Sequence, residues 1–255
     1  MKKFLKIACV ALAFAMILPL AGCGSSSSSD ENHYTIATDT TFAPFEFEDK
    51  DGKRVGIDVE LLQAIADKEG FTYDLQALGF DAAVSALESG QVDGVIAGMS
   101  ITDERKQKFD FSEPYFDSGI MCGVKSDSDI TSYDQLSGKN VAVKTGTEGA
   151  SYAQSIADQY GFTITQFQDS ANMYEEVKSG NSVACFEDYP VLGYAISQGQ
   201  PLKMIGELQR GNSYGFAVKK GDEKGAKLLE MFNKGLEAVK EDGTYQKIMD
   251  EYISK

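Results

Sequence analysis

The feature that most constrains the fold of this chain is a supersecondary unit that occurs twice. A helical pattern, a Ser-Gly stop and a short apolar strand occupy residues 82–97 (AAVSALESGQVDGVIA), and the same order returns 90 positions later at residues 172–187 (NMYEEVKSGNSVACFE). Helices that alternate with apolar strands favour parallel sheets with crossover helices. The repeat therefore predicts an α/β chain with two similar lobes, each built around its own sheet.

Hydrophobic periodicity extends this alternation over much of the chain. The sequence predicts, in chain order, strand 34–38, helix 59–68, strand 71–78, helix 82–89, strand 92–97, a helix start at 102–104, strand 140–144, helix 149–160, strand 163–167, helix 171–179 and strand 183–186.

The N-terminal residues predict export and a lipid anchor. Three lysines precede an apolar stretch (residues 7–20) that is too short for a comfortable membrane span, as in a signal peptide. The stretch closes on Leu-Ala-Gly-Cys, the order of a bacterial lipobox, which ends at Cys23. We therefore expect a signal peptide over residues 1–22, lipidation of Cys23, and a Ser-rich tether over residues 23–33 that holds the protein at the extracytoplasmic face of the cell membrane.

Composition and charge exclude several classes of function. The chain carries 24 basic and 39 acidic residues, a formal charge of −15, which becomes −18 when the three lysines of the signal peptide are subtracted. A nucleic-acid footprint would be basic and clustered, so no nucleic-acid partner is predicted. His33 is the only histidine and lies at the tether, which excludes a His-based triad, metal site or general base from the folded body. No metal or cofactor is predicted.

Two cysteines, Cys122 and Cys185, lie in the predicted folded body, both in apolar strand-like segments. Export permits a disulfide between them. Two buried thiols fit the sequence equally well, because pairing depends on a geometry that the sequence does not contain.

Polar residues stand at four predicted strand ends. The first strands of the two halves end at Asp39 and Lys144, and the repeated strands end at Gly98 and Asp188. Ligands of open α/β sheets bind outside the carboxyl ends of the strands. Two lobes that face each other would therefore bring these four residues together around one ligand.

The stretch after residue 97 (AGMSITDERKQKFDFSEPY) adds an anion site to this edge. Ser100, the predicted helix start at 102–104 and Arg105 follow one strand end closely. A guanidinium donates two parallel hydrogen bonds to a carboxylate, and N–H groups at a helix start favour anions. This stretch therefore predicts a carboxylate-binding site.

Eight motifs are spread over the chain from about Tyr34 to the C-terminus. They are ATDTTFAPFEF (37–47), VGIDVELLQAIA (55–66), GFDAAVSAL (79–87), AGMSITDERK (97–106), FDFSEPY (109–115), VAVKTGT (141–147), FEDYP (186–190) and DGTYQKI (242–248). Through these motifs the sequence resembles the extracellular solute-binding proteins of polar amino acid ABC importers, family 3, and among them the glutamine-binding members most.

This resemblance implies a type II periplasmic-binding-protein-like fold, with two Rossmann-like lobes joined by two hinge strands. Lobe 1 would comprise residues 34–116 plus 215–255 and lobe 2 residues 117–214, with hinges near 115–119 and 210–214. It also implies that an amino acid is trapped between the lobes for delivery to an ABC transporter permease.

The resemblance also implies roles for the residues at the strand ends. Arg105, Ser100 and backbone N–H groups near Thr147 would bind the α-carboxylate of a free amino acid. Asp188 and the Gly98 carbonyl would bind its α-ammonium group. Burial of both charges is tolerable only if each is paired and hydrogen-bonded.

A second group of residues would determine which amino acid side chain the ligand carries. Phe42 and Phe80 resemble the family's aromatic pair that grips the aliphatic stem. Asp39 accepts hydrogen bonds and Lys144 donates them, which suits the neutral amide of glutamine. Glu187 stands where the glutamine binders carry His and adds a second acid, so arginine, lysine or cystine are the alternatives.

A different class of function uses the same scaffold, since cyclohexadienyl dehydratases also resemble this family. Such an enzyme needs a general acid or base at a reacting carbon. The complete zwitterion clamp and the lipid tether favour a protein that binds its ligand unchanged, so we expect no enzymatic activity.

Overall fold

The computed structural model describes residues 32–253. The predicted signal peptide, Cys23 and nearly all of the predicted tether lie outside the described residues. Within residues 32–253, every helix is too short or too polar to cross a membrane.

The described chain alternates strands and helices, with 3₁₀ turns at Arg105–Gln107 and Tyr133–Leu136. The helices are α1 (Ile57–Glu69), α2 (Phe80–Ser89), α3 (Glu148–Tyr160), α4 (Ser170–Ser179), α5 (Tyr189–Ser197), α6 (Glu223–Glu241) and α7 (Thr244–Tyr252). The strands are β1 (His33–Thr38), β2 (Phe47–Glu48), β3 (Arg54–Val55), β4 (Thr72–Ala77), β5 (Gly94–Val95), β6 (Phe109–Phe111), β7 (Phe116–Lys125), β8 (Asn140–Lys144), β9 (Thr163–Phe167), β10 (Ala184–Asp188), β11 (Leu202–Tyr214) and β12 (Ala217–Lys219).

Two five-stranded sheets confirm the predicted pair of α/β lobes. Their orders are β4-β1-β5-β12-β6 and β11-β7-β10-β8-β9. Strand β1 pairs in parallel with β4 and β5, and β8 pairs in parallel with β9 and β10. The sequence did not predict the antiparallel strands that complete these sheets, which are β12 in the first sheet and β7 and β11 in the second.

The chain passes between the two sheets twice. Strand β6 of the first sheet ends at Phe111 and β7 of the second begins at Phe116; β11 ends at Tyr214 and β12 begins at Ala217 in the first sheet. Strands β7 and β11 pair with each other, with register shifts between Ile205 and Asn212. The predicted hinges lie at the ends of these two strands, and their bending stays a prediction.

The local predictions succeed where glycine ends a helix. Gly90 after α2 and Gly180 after α4 both adopt the left-handed conformation (φ 77° and 82°), as the repeated Ser-Gly stop requires. The predicted strands and helices agree with the structure to within two residues at each end, although the strand at 92–97 is shortened to Gly94–Val95. The helix start at 102–104 is wrong, because only the 3₁₀ turn at Arg105–Gln107 follows.

The interior of the first lobe packs α1 and α6 against its sheet. Phe216 and Phe232 are both 0% exposed and stack with ring centroids 4.4 Å apart and planes 8° apart. Flat stacking at this distance buries a large apolar area and joins α6 to the segment that leads into β12.

The two cysteines are free and buried in the second lobe. Burial raises the pKa of both the Cys122 and the Cys185 thiol, so both stay protonated at neutral pH. Of the two possibilities that the sequence left open, the structure contains the pair of buried thiols.

We expect Phe232→Ala to lower the free energy of unfolding by about 3–5 kcal/mol, because it removes a fully buried ring and leaves a cavity. Urea unfolding followed by circular dichroism measures this loss. Phe232→Leu keeps most of the apolar volume and should cost clearly less. Equal effects of the two substitutions would show that the apolar volume retained by leucine does not contribute, and would contradict the cavity as the cause of the loss.

Candidate functional site

A narrow cavity lies between the two sheets, at the carboxyl ends of their strands. The cavity is almost closed, with a volume of about 10 Å³. The lining residues are Phe42, Phe80, Gly98, Ser100, Arg105, Lys144, Thr147, Glu148 and Asp188. Eight of the ten residues predicted from the sequence therefore line one cavity, and Asp39 and Glu187 lie just behind its wall.

A buried ion pair joins the two lobes at this cavity. Asp39 directly follows β1, Lys144 ends β8, and the Lys144 Nζ contacts Asp39 Oδ2. Their side chains are 0% and 1% exposed. The ammonium also lies 4.8 Å from the centroid of the Phe42 ring, a cation–π contact. Arg54 supports this strand end, since its Nη1 donates to the Thr40 carbonyl at 2.9 Å.

Arg105 is held in a fixed orientation by backbone carbonyls of both lobes. Its Nη1 donates to Ser100 O at 2.9 Å and its Nη2 to Gly146 O at 3.1 Å, and the guanidinium lies 5.2 Å from the centroid of the Phe80 ring. Burial lowers the pKa of Arg105, and the nearby Glu148 opposes that change. A guanidinium has five N–H donors, so these two bonds fix its plane without using all of them.

The N-terminus of α3 forms another part of the wall. Thr147 caps this helix: its Oγ1 accepts the Ala150 N–H at 3.2 Å and donates to Lys144 O at 2.8 Å. The free N–H groups of a first helical turn, together with the helix dipole, attract negative charge. Glu148, which opens the helix, also lines the cavity, and its Oε2 is 3.5 Å from Nη1 of Arg210.

Asp188 supplies an acid to the site, and its side chain is linked directly to strand β11 and, through Tyr214, to strand β7. Tyr214 of β11 donates its hydroxyl to Asp188 Oδ2 at 2.5 Å, and Ser118 of β7 donates to the Tyr214 hydroxyl at 3.0 Å. Burial, followed by the charge of Glu187, raises the pKa of Asp188 to about 7, while Tyr214 and Arg105 oppose this shift. The sequence analysis missed both hydroxyls.

Glu187 points its carboxylate toward α4 and its own backbone. It accepts hydrogen bonds from the hydroxyls of Ser170 at 2.8 Å and Tyr174 at 3.4 Å and from the Asp188 N–H at 3.0 Å. Burial raises its pKa, and the charge of Lys144 opposes the shift. Glu187 is thus within electrostatic reach of the cavity through Lys144.

Two buried acids that sequence reasoning missed, Glu46 and Asp58, lie behind Gly98. Asp58 Oδ2 accepts the Gly98 N–H at 2.7 Å and the Tyr115 hydroxyl at 2.9 Å. Burial raises the pKa of Asp58 to about 6. The only sequence signal was ambiguous, because an acid in the first turn of a helix is common for reasons of the helix dipole alone.

A larger cavity of about 450 Å³ opens elsewhere between the lobes, among Phe47, Arg54, Tyr174 and Tyr194. None of the ten predicted site residues lines it. Within residues 32–253, no cluster of three or more His, Cys, Asp or Glu side chains is arranged to hold a metal ion.

Comparison with known proteins adds independent evidence. The family model of the bacterial extracellular solute-binding proteins, family 3, matches residues 34–255. The arginine-binding extracellular protein ArtP of Bacillus subtilis (strain 168) is 31% identical over 261 residues, which covers 100% of this chain and 99% of ArtP.

Solved structures agree with this result. An ancestral arginine-binding protein, solved once bound to glutamine and once bound to arginine, has a TM-score of 0.80 and 39% identity and covers 88% of this chain and 99% of its own. The ancestral amino acid-binding protein AncCDT-1, described as a precursor of cyclohexadienyl dehydratase, has a TM-score of 0.78 and 33% identity over 87% of this chain and 96% of its own. Two-lobed amino acid-binding proteins therefore share the fold.

We expect Asp188→Asn to raise the melting temperature at about pH 8 by a few degrees and to change it little at about pH 4. The raised pKa of Asp188 means that the native state binds its proton more tightly than the unfolded state. The wild type therefore loses stability as the pH rises from the unfolded pKa through about 7, and the neutral amide avoids that loss. Thermal melts without added amino acid measure the difference.

Asp158→Asn is the matched control, because Asp158 is exposed on α3. Its melting temperature should follow that of the wild type at both pH values. A difference between Asp188→Asn and the wild type that is the same at both pH values would contradict the assigned titration.

Proposed function

Because the chain belongs to the bacterial extracellular solute-binding proteins, family 3, we propose that it captures a polar L-amino acid, glutamine above others, for an ABC importer. The observation that carries this proposal is that one cavity between the lobes is lined by Arg105, by the residues at the α3 N-terminus and by Asp188. A free amino acid carries one negative and one positive charge, and this cavity offers a group of opposite sign for each.

The carboxylate of the ligand binds at Arg105. The two carbonyl bonds and the Phe80 ring hold the guanidinium plane in place, so little entropy is lost when it takes the ligand. Ser100 and the N–H groups that follow Thr147 complete the anion site. Charge-assisted hydrogen bonds of this kind are short and roughly twice as strong as neutral ones.

The ammonium group binds at Asp188 and the Gly98 carbonyl. An arriving cation lowers the pKa of Asp188 from its raised value and favours the carboxylate form. Ligand binding is therefore linked to loss of a proton from this acid near neutral pH.

The side chain of the ligand extends between Phe42 and Phe80 toward Asp39 and Lys144. A carboxamide offers an N–H to Asp39 and a carbonyl to Lys144, so glutamine satisfies both members of the buried pair. An apolar side chain would offer this buried pair neither a donor nor an acceptor. Buried charges that lack partners are costly, so the amide is a better occupant than an apolar side chain.

Arginine is the second candidate, favoured by one observation. Glu187 is buried close enough to Lys144 for the two charges to affect each other, so the Lys144 charge is shared between two acids. An arginine side chain would then meet a net negative environment. The names of the similar proteins support both ligands, since ArtP is arginine-binding and the ancestral protein was solved with each.

Delivery of the amino acid to the permease depends on where the protein is held and on movement of its two lobes. We place the protein at the extracytoplasmic face of the cell membrane through a lipid on Cys23, where a closed, loaded form is recognised by the permease. Bending at the predicted hinges near 115–119 and 210–214 closes the lobes over the ligand. Closure excludes water and strengthens the bonds to both ends of the zwitterion.

A binding role, and not catalysis, best fits these groups. Arg105, Lys144 and Asp188 are each assigned to one end of the ligand or to its side chain, and Glu148 is engaged by Arg210, its Oε2 lying 3.5 Å from the Arg210 Nη1. The family match and ArtP point the same way, although AncCDT-1 marks this scaffold as one from which a dehydratase has arisen.

We expect Arg105→Met to abolish amino acid binding while the fold persists. Loss of one partner of a buried charge pair costs on the order of 3–5 kcal/mol, more than a hundred-fold in affinity. A thermal-shift screen of the wild type against the twenty amino acids identifies ligands, because a compound that binds only the native state raises the melting temperature. Calorimetry then compares wild type with variant.

Lys106→Met serves as the matched control, since Lys106 is exposed beside Arg105. It should bind as the wild type does. An unchanged dissociation constant in Arg105→Met would remove Arg105 from the site, and a wild type that responds to none of the twenty amino acids would overturn the proposed function.

We expect Lys144→Ala to weaken glutamine binding and to shift the relative preference toward arginine or lysine. The substitution removes the donor for the amide carbonyl and leaves Asp39 and Glu187 without their cation. Competition between labelled glutamine and unlabelled arginine measures the shift. A wild type that already prefers arginine by a wide margin would assign the dominant electrostatic role to Glu187.

A further inference from the structure

We propose that Glu46 and Asp58 share a single proton behind the cavity, and that this acid pair holds Gly98 and the turn of Phe42 in position. Glu46 is the protonated member and donates its O–H to Asp58 Oδ1. The sharing of the proton rests on the buried oxygens of the two acids that lack hydrogen-bond partners among the described residues. The positioning role also rests on the proposed function, because Gly98 and Phe42 are assigned there to the ligand.

Asp58 accepts hydrogen bonds, as an ionised carboxylate does, at only one of its two carboxylate oxygens. Its Oδ2 accepts two hydrogen bonds, from the Gly98 N–H at 2.7 Å and from the Tyr115 hydroxyl at 2.9 Å. Its Oδ1 is buried and has no hydrogen-bond partner among the described residues. Since Asp58 is 0% exposed, that oxygen needs a donor from within the protein.

Glu46 can supply this donor, because its carboxyl group lies within hydrogen-bonding reach of Asp58. It is 0% exposed, and both of its carboxyl oxygens are buried without a hydrogen-bond donor in the described part of the chain. An ionised carboxylate in that position would carry an uncompensated charge next to a second one, which is among the costliest arrangements in a protein interior. One proton on Glu46 removes the extra charge and supplies the missing donor in the same step.

The charged and titratable groups that face Glu46 favour the protonated form. Asp58 on α1 and Asp39 after β1 raise its pKa, in addition to the effect of burial, and Lys144 on β8 opposes them. The Tyr115 hydroxyl, whose pKa is also raised, stays protonated and donates to Asp58. Lys144 is already paired with Asp39, so it does not compensate a charge on Glu46.

The pair connects two parts of the binding cavity. The backbone of Glu46 closes the turn that carries Phe42, through Phe42 N–H to Glu46 O at 2.8 Å and Glu46 N–H to Phe42 O at 3.2 Å. Gly98, held by Asp58, packs directly on the same ring, where an added Cβ would lie 2.4 Å from a Phe42 carbon. A proton between the two acids therefore fixes the distance between the aromatic wall and the Gly98 backbone.

The test compares Glu46→Gln, Glu46→Leu and the control Glu237→Gln, an exposed glutamate of α6. Gln keeps a donor for Asp58 without a titratable proton, whereas Leu keeps the volume and loses the donor. The free energy of unfolding is measured by urea from about pH 4 to about pH 9. Infrared spectra of protein labelled with ¹³C at the glutamate carboxyl detect a protonated acid directly.

The sign of the pH effect follows from the raised pKa of Glu46. The native state binds this proton more tightly than the unfolded state, so the wild type loses stability as the pH rises above the unfolded value of 4.5. Glu46→Gln should lack that loss, and its stability relative to the wild type should increase with pH. Glu46→Leu should be less stable than Glu46→Gln at every pH, and Glu237→Gln should run parallel to the wild type.

The infrared band of a protonated glutamate should be present in the wild type at about pH 8 and reduced in Glu46→Gln. A band that is equally strong in both proteins, together with parallel stability curves, would show that Glu46 is ionised and would overturn the shared proton. Equal stability of the Gln and Leu variants would overturn the hydrogen bond to Asp58.

Binding of L-glutamine and L-arginine, measured by calorimetry, tests the positioning role. Glu46→Gln should bind the wild type's preferred amino acid within about twofold, and Glu46→Leu about tenfold more weakly, since one hydrogen bond to a charged acceptor is lost. Wild-type affinity in Glu46→Leu would overturn the positioning role. A wild type that binds neither amino acid would overturn the proposed function and that role, while the stability and infrared results still decide whether the proton is shared.

Discussion

The buried ion pair between Asp39 and Lys144 is the interaction on which the rest of the site depends. It joins the ends of two strands that belong to different sheets, and its members are almost completely shielded from water. Ionised groups in such a place are stable only when each has partners of the right sign and geometry. The same requirement applies to the neighbouring ionisable side chains: hydroxyl groups donate to Asp58, Glu187 and Asp188, and backbone carbonyls accept from Arg105.

Much of this site could be predicted from the sequence because strand ends are local features. Asp39, Lys144, Gly98 and Asp188 were recognised by their positions after apolar segments, and the carboxyl ends of parallel strands meet at one edge. The structure brings all four to the cavity or directly behind it. The presence of Arg105 at the cavity was also correctly predicted, although the expected helix start is absent and two carbonyls orient the guanidinium instead.

The features that sequence reasoning missed depend on contacts between residues far apart in the chain. Tyr214 reaches Asp188 across 26 positions, and Asp58 reaches Gly98 across 40. No local pattern distinguishes such a residue from an ordinary core tyrosine or a first-turn acid. The antiparallel strands were missed for a related reason, since β12 enters the first sheet only after the chain has passed through the second.

The hydrogen bond from Tyr214 to Asp188 has a mechanical consequence. Tyr214 is the last residue of β11, it forms an isolated bridge with Ser100 of the first lobe, and its hydroxyl holds the acid that faces the cavity. Any rotation of the backbone at this point changes the length of that bond and with it the charge on Asp188. The conformation of the backbone at Tyr214 and the pKa of Asp188 are therefore coupled, so a substitution that changes one of them also changes the other.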